Sequence, residues 1–373
     1  MSDTPSGLTE VAQLVDRRLA ALFDEQEAIW AAIDERLVEA IAELRRITMG
    51  GKRLRAGFCY WAWLGATGGS SVGQSSPRQS SLEQVSDADH ATIIDACASF
   101  ELLQAFALIH DDIMDDADRR RSEQTIHVAQ ANLLVERGWR GEPRRYGEGV
   151  AILVGDLSHV YADQLIGNAS PQTRELWDRL RIELNLGQYL DMRTAAAAER
   201  DRTTAIQVAT FKSALYTIVR PLQVGASIAH SATGELDNSA LMAGLEKYGI
   251  PAGQAFQLRD DLLGVLGDES TIGKPVGNDL REGKPTELVA VAFERATSDE
   301  RLLLDRIGQP DLDDTQIVAI IDVLKNTGAV DEIESRIDEL VGDAALIAND
   351  LPFSLRVRET LIAFANYVAA RHL

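Results

Sequence analysis

Apolar residues recur at three- and four-residue steps along most of this chain, the spacing that gathers them on one face of an α-helix. The pattern predicts helices over Leu14 to Ile47, Ile93 to Ile113, Gly149 to Ile166, Thr173 to Met192, Ala205 to His230, Leu241 to Leu266 and Leu280 to Ala296. Apolar–polar alternation between Gly or Asn-Gly turns, the mark of strands, is scarce. Two stretches break the helical pattern. From Gly68 to His90 the chain carries SSVGQSSPRQSS, which offers little apolar area against the entropy of ordering and reads as a mobile surface loop. The shorter break, ERGWRGEPRRYGEG, runs from Glu136 to Gly149. The expectation is a single all-α domain over residues 1–373, a large bundle of about a dozen helices surrounding a central cavity.

With 45% hydrophobic and 25% charged residues, the 373-residue chain can bury a sizeable core and is neither disordered nor disulfide-built. Its 58 Asp and Glu against 37 Lys and Arg leave a formal charge of −21. Nucleic acid and anionic lipid, which need basic surface, are therefore poor partners. Local cations and metal ions can still hold a phosphorylated small molecule. The opening MSDTPSGLTEVAQLVDRR has neither the basic nor the apolar region of a secretory signal. No uninterrupted apolar run approaches the ~18 residues of a membrane span. A cytoplasmic chain with no integral membrane segment is expected. Cys59 and Cys97 lack a Cys or His at metal-ligand spacing and read as buried, reduced thiols.

The sharpest chemical signal is Ile109-His110-Asp111-Asp112-Ile113-Met114-Asp115-Asp116, followed by Arg119, Arg120 and Arg121. On a helix Asp111 and Asp115 share a face one turn apart, where like charges repel unless something positive lies between them. Oxygen ligands without His or Cys point to a hard ion, Mg²⁺ above all. The arginines suit a phosphate, which guanidinium binds through paired donors. A solvated acidic helix end is the bland alternative in so acidic a chain. A second pair, Asp260-Asp261 in AFQLRDDLLG, weighs against it, because Gly-Lys follows at 273–274 and again at 283–284. Two acidic pairs with cations just downstream suggest metal ions gripped from opposite walls with a polyphosphate between them.

Gly50-Gly51-Lys52-Arg53-Leu54-Arg55 adds three cations after two glycines, with Lys52 and Arg55 expected on one helical face. It lacks the GxxxxGK[ST] spacing of a nucleotide-binding loop. Gln188 and Asp191 lie one turn apart, and Lys212 sits in the apolar stretch Ala209 to Val219, where a lone Lys commonly reaches for solvent. His110, standing alone, reads as structural.

Taken in order, GGKRLR, IHDDIMD with paired arginines, GDL, GQYLD, Lys followed by Ser, and FQLRDD with GKPVGNDLREGK resemble the trans-isoprenyl diphosphate synthases, or polyprenyl synthetases, from about residue 49 to 286. Within that family the chain looks most like a bacterial geranylgeranyl diphosphate synthase. The resemblance implies an all-α isoprenoid-synthase fold, a homodimer, and condensation of isopentenyl diphosphate with dimethylallyl, geranyl or farnesyl diphosphate. It also implies about three Mg²⁺ ions bridging carboxylates and phosphates. Asp111, Asp112 and Asp115 match the first aspartate motif, with Asp111 and Asp115 as metal ligands. Asp260 and Asp261 match the second, with Asp260 as a metal ligand. Arg120, Lys212 and Lys274 would contact the allylic diphosphate. Lys52, Arg55, Gln104 and Arg121 would hold isopentenyl diphosphate, and Gln188, Asp191 and Gln257 would line the cavity near the metals. The chain departs from the family twice. The second motif usually reads DDxxD, but its last position is Gly264, with Asp268 one turn further on. The usual Arg-Arg-Gly-x-Pro-Thr turn reads Arg120-Arg121-Ser122-Glu123-Gln124-Thr125.

The implied chemistry is ionisation of the allylic diphosphate, attack by the double bond of isopentenyl diphosphate, and loss of a proton to the departing diphosphate. No general base of shifted pKa is required, and water must be kept from the cation. Product length depends on what blocks the cavity below Asp111. Phe106 lies five residues upstream, roughly 7–8 Å deeper on a helix. Ala107 beside it is small, and Leu103 offers a further stop. By the family's pattern one aromatic at that depth goes with a twenty-carbon product, so geranylgeranyl diphosphate is favoured and farnesyl diphosphate is second. A class I terpene cyclase would carry an Asn/Ser/Glu-type second motif and would not need Lys52 or Arg55. A non-catalytic partner subunit of a heteromeric synthase should have lost aspartates or cations that this chain keeps.

Overall fold

The computed structural model describes residues 4–68, 87–120, 123–233, 238–267 and 277–370. Most of the Ser/Gly-rich stretch, together with Arg121, Asp268 and Lys274, lies outside the described residues. Among the described residues the protein is helical apart from a hairpin of two-residue strands, β1 (Arg119–Arg120) and β2 (Glu123–Gln124). The all-α expectation is met.

Contacts within the chain divide it into two compact units. The first comprises Ser6–Arg174 with Val224–Gly234, and the second Glu175–Gln223 with Glu235–Leu373 and the first five residues. The first unit contains α1 (Ser6–Ala31), α2 (Val38–Thr48), α3 (Leu54–Ala66), α4 (Asp87–Met114), α5 (Ile126–Glu136) and α6 (Pro143–Ile166). Long and apolar enough to cross a bilayer by length and composition, α4 has 61% of its most apolar window buried inside the protein. It packs chiefly on α6 and α3, and Cys97, Phe100, Leu102 and Leu103 are buried along it. Both thiols are free and buried. Burial pushes the Cys97 thiol well up, and the neighbouring Cys59 thiol adds to the shift. The break expected over 136–149 shrinks to Arg137–Gly141 and one capping residue. Pro143 at the first turn has a fixed φ suited to a helix start, and the Glu142 carboxylate accepts from the Arg144 and Arg145 amides.

The second unit is organised around α10 (Ser239–Leu266). Before it comes α7 (Pro171–Ala196), which starts in the first unit. A continuous run follows, α8 (Arg202–Ala209), a π-helix (Thr210–Val219) and α9 (Arg220–Thr233), whose later part returns to the first unit. Beyond α10 lie α11 (Asn278–Glu282), α12 (Glu287–Arg295), α13 (Ser298–Leu304), α14 (Asp314–Asn326), α15 (Ala329–Asp350) and α16 (Leu355–Ala369). Leu258, Leu262, Leu288, Ile320, Ile333 and Ile337 are buried in its core. The one helix read over Leu280 to Ala296 is two. Gly283 has φ 72, a left-handed conformation that suits glycine at a helix end. Thr286 then caps α12 by accepting from the Val289 amide.

Candidate active site

In the first unit, α4 carries Leu103, Gln104, Phe106, Ala107, His110, Asp111, Asp112 and Asp115 toward its last turns. The hairpin beyond brings Arg120 back to it. The Arg120 Nε donates to both carboxylate oxygens of Asp112, at 2.8 and 3.0 Å, and its guanidinium lies 3.8 Å from Asp111. Burial opposes the charge on Arg120. Its bonds to Asp112 and the charges of Asp112, Asp111 and Asp115 outweigh that and raise its pKa. Asp111, Asp112 and Asp115 thus gather around one arginine, a set of oxygen donors of the kind a hard cation takes.

His110 is held away from the chemistry. Its ring packs where Gly155 of α6 has no side chain, since a Cβ there would meet Nε2 at 2.4 Å. Its Nε2 stands 3.2 Å from the Ile152 carbonyl oxygen.

The basic segment before α3 differs from expectation. Gly50 and Gly51 have φ of 84 and 102, and Arg53 has φ 51. The helix starts only at Leu54, so Lys52 precedes it and does not share a helical face with Arg55. The left-handed Arg53 turns inward and is buried. It donates to Glu101 at 2.8 Å, to the Thr48 carbonyl at 2.9 Å and to Asp16. Burial opposes its charge, and Glu101 and Asp16 more than offset that. Lys52 stays exposed and Arg55 half-buried at the start of α3.

In the second unit, α7 approaches the π-helix at Gly187, where a Cβ would lie 2.9 Å from the Lys212 amide nitrogen. One turn further along α7, Asp191 accepts from the Lys212 ammonium at 2.6 Å. Lys212 is therefore an ion-pair partner rather than a lysine reaching for solvent. Gln188 is half-buried one turn before Asp191.

On α10, Ser213 of the π-helix donates to the Gln257 side-chain oxygen. The Gln257 amide in turn donates to Asp261 at 2.7 Å. Between the pair and Gln257, Arg259 points elsewhere, donating to Glu334 and to the Ala369 carbonyl. At Gly264 a Cβ would stand 1.9 Å from Asp279 Oδ2, so the Asp279 carboxylate fills the room of the side chain missing from the second motif. The Lys284 ammonium lies 3.5 Å from Asp279 and pairs with Glu282. Burial pushes the Asp261 carboxyl well above the usual range. Gln257 and Lys284 oppose the shift, and the charges of Asp279 and Asp260 add to it.

Sequence reasoning passed over Asp279, Ser213 and His159. Only the GNDLREGK run signalled the first of these. Among the described residues no three His, Cys, Asp or Glu side chains already converge as a metal cage. For Mg²⁺, which keeps waters and takes substrate oxygens, one or two carboxylates per ion suffice. The oxygen-only donors at 111, 115 and 260 fit it. The second unit also has a cavity of about 460 Å³ beside Arg202, Glu287, Glu332 and Arg336. Its lining contains none of the motif residues.

Residues 37–324 match the family model described as polyprenyl synthetase. A geranylfarnesyl diphosphate synthase of Aeropyrum pernix is 32% identical over 291 residues, 75% of this chain and 83% of that protein. A geranylgeranyl diphosphate synthase of Sulfolobus acidocaldarius is 30% identical over 239 residues, 62% of this chain and 66% of that protein. The crystal structure of geranylgeranyl pyrophosphate synthase from Corynebacterium glutamicum, complexed with isoprenyl diphosphate and magnesium, superposes with a TM-score of 0.87. It shares 35% identity and covers 98% of this chain and 99% of its own. The chain belongs to the polyprenyl synthetase family, the trans-prenyl diphosphate synthases that act as prenyltransferases in isoprenoid biosynthesis.

Proposed function

We propose that the protein is a Mg²⁺-dependent synthase that condenses isopentenyl diphosphate with allylic diphosphates and releases geranylgeranyl diphosphate, the whole chain acting as one synthase domain. The observation that carries this reading is the end of α4, where Asp111 and Asp115 sit one turn apart and Arg120 engages Asp112. Asp111, Asp115 and Asp260 would hold Mg²⁺, which supplies positive charge to the leaving diphosphate when bound. Arg120 and Lys212 orient the allylic diphosphate, as would Lys274. Lys52, Arg55 and Gln104 hold the second diphosphate, as would Arg121. The allylic C–O bond breaks, the isopentenyl double bond forms the new C–C bond, and the proton lost afterwards goes to the departing diphosphate. Ala107 and Phe106, both half-buried on α4, would present apolar surface that keeps water from the developing cation, whereas Leu103 is wholly buried.

Phe106 supports a twenty-carbon stop. The likeness to the Aeropyrum geranylfarnesyl synthase supports a second reading, one unit longer. A homodimer is supported by α6, where Ile152, Leu153 and Val160 are 45, 69 and 51% exposed in the single chain. A monomer in sedimentation would overturn that part.

The test is to incubate the protein with Mg²⁺, isopentenyl diphosphate and each allylic starter, then dephosphorylate and size the products. A dominant twenty-carbon alcohol is expected. A fifteen- or twenty-five-carbon alcohol would overturn the length, and no condensation would overturn the reaction.

A further inference from the structure

Phe106 is held from two sides. The His110 ring meets it edge-on, with centroids 4.7 Å apart and planes at 62°. The His159 ring stacks on it, with centroids 4.8 Å apart and planes at 22°. The two imidazoles come from different helices, and α6 organises both. Gly155 gives His110 its seat, and His159 follows one turn later on the same helix. A half-buried phenylalanine on a helix has more than one χ1 well to visit. Contact from an edge and from a face, the arrangements aromatic pairs favour, confines the ring to one.

We propose that His159 is a specificity-determining residue. Its imidazole fixes Phe106 as a firm stop, so that chain growth ends sharply and does not leak into longer products. This rests on the reading of Phe106 as the floor of the product cavity. A stop that can swing aside lets a fraction of chains add one more five-carbon unit, whereas a clamped ring does not. His159 acts through Phe106 and is a positioning residue, so it should leave the chemistry of short chains alone.

The experiment compares the native protein with His159→Ala, His159→Phe, Phe106→Ala and the Phe106→Ala/His159→Ala double variant. Each is assayed for its product distribution and for kcat/KM with dimethylallyl diphosphate. His159→Ala is expected to raise the ratio of twenty-five- to twenty-carbon product at least fivefold, with kcat/KM for the short starter within about twofold. His159→Phe, which keeps a flat ring to stack, should restore the native ratio. The double variant should lengthen products no further than Phe106→Ala alone, since residues acting as one unit are not additive. If Phe106→Ala lengthens the product while His159→Ala does not, the role of His159 is overturned and the floor stands. If neither changes the product, the floor itself is refuted and the inference with it. Should His159→Ala fail to fold, His159→Gln, which keeps a polar side chain without a ring, replaces it under the same criteria.

Discussion

Loss of Arg53 should be strongly felt in stability. Its side chain is 1% exposed, and it pairs with Glu101 at 9% and Asp16 at 41% exposure. Replacing it with Met keeps much of the volume and removes the charge, stranding the Glu101 carboxylate in the core. Breaking a buried pair from one side costs about 3–5 kcal/mol. The half-exposed Asp16 adds at most about 1 kcal/mol, and the Thr48 carbonyl loses a donor worth roughly another 1 kcal/mol. The total is about 4–7 kcal/mol, and at about 2–4 °C per kcal/mol for a unit of this size the melting temperature should fall by roughly 8–28 °C. Two controls separate charge from shape. Arg53→Met/Glu101→Met removes both charges and should recover most of the loss, because replacing both partners by apolar groups is nearly neutral. Arg53→Gly relieves about 1 kcal/mol of strain at φ 51 but empties a buried site that Met fills, at a cost of about 2 kcal/mol or more, so it should be the less stable of the two. Urea unfolding can be followed by the fluorescence of Trp61 and Trp63, both buried in α3. A loss below about 1 kcal/mol for Arg53→Met, or a double variant no better than the single one, would refute the reasoning.

Three further outcomes follow from the site. Asp111→Ala should lower turnover by about 10²–10³ or more, while the melting temperature holds or rises because carboxylate repulsion on α4 is relieved; retained turnover would sink the metal assignment. Gly264→Asp restores the family's motif in letters, yet its Cβ would stand 1.9 Å from Asp279 Oδ2. Turnover should fall roughly a hundredfold by displacement of the neighbouring carboxylates, and Gly264→Asp/Asp279→Gly should regain most of it; a harmless single variant would contradict the crowding. Asp261 holds its proton to a higher pH than an exposed aspartate. Divalent-cation binding with a diphosphate analogue should therefore release protons and tighten as pH rises through that raised pKa. Calorimetry in two buffers of different ionisation enthalpy reads the release, and equal heats in both would count against it.

Helices were legible because their signal is local. The apolar spacing over Leu241 to Leu266 foresaw α10 to within two residues at its start. The aspartate pairs stood out because a second pair with cations just downstream weighed against reading the first as a solvated helix end. Arg53 did not. Reading GGKRLR as helix put Lys52 and Arg55 on one face, whereas left-handed backbone at 53 delays the helix and sends the middle cation inward. Asp279 escaped for a different reason. Its place beside Gly264 depends on α11 folding back against α10, a contact between positions fifteen residues apart that no local period encodes. His159 was hidden likewise, since its partner Phe106 lies on another helix.

The π-helix from Thr210 to Val219 makes the spacing of this chain unusually intolerant of insertion and deletion. Each such turn absorbs one more residue than an α-helical turn, and in α-helix one residue is worth about 100° of rotation. Deleting a single residue there would let α8 and α9 join in a smooth α-helix, ordinarily a mild change. It would also turn Lys212 by roughly a quarter of a revolution relative to α9, away from Asp191, or force α8 to turn instead. The length of this segment is thus itself under constraint, independently of which amino acids fill it.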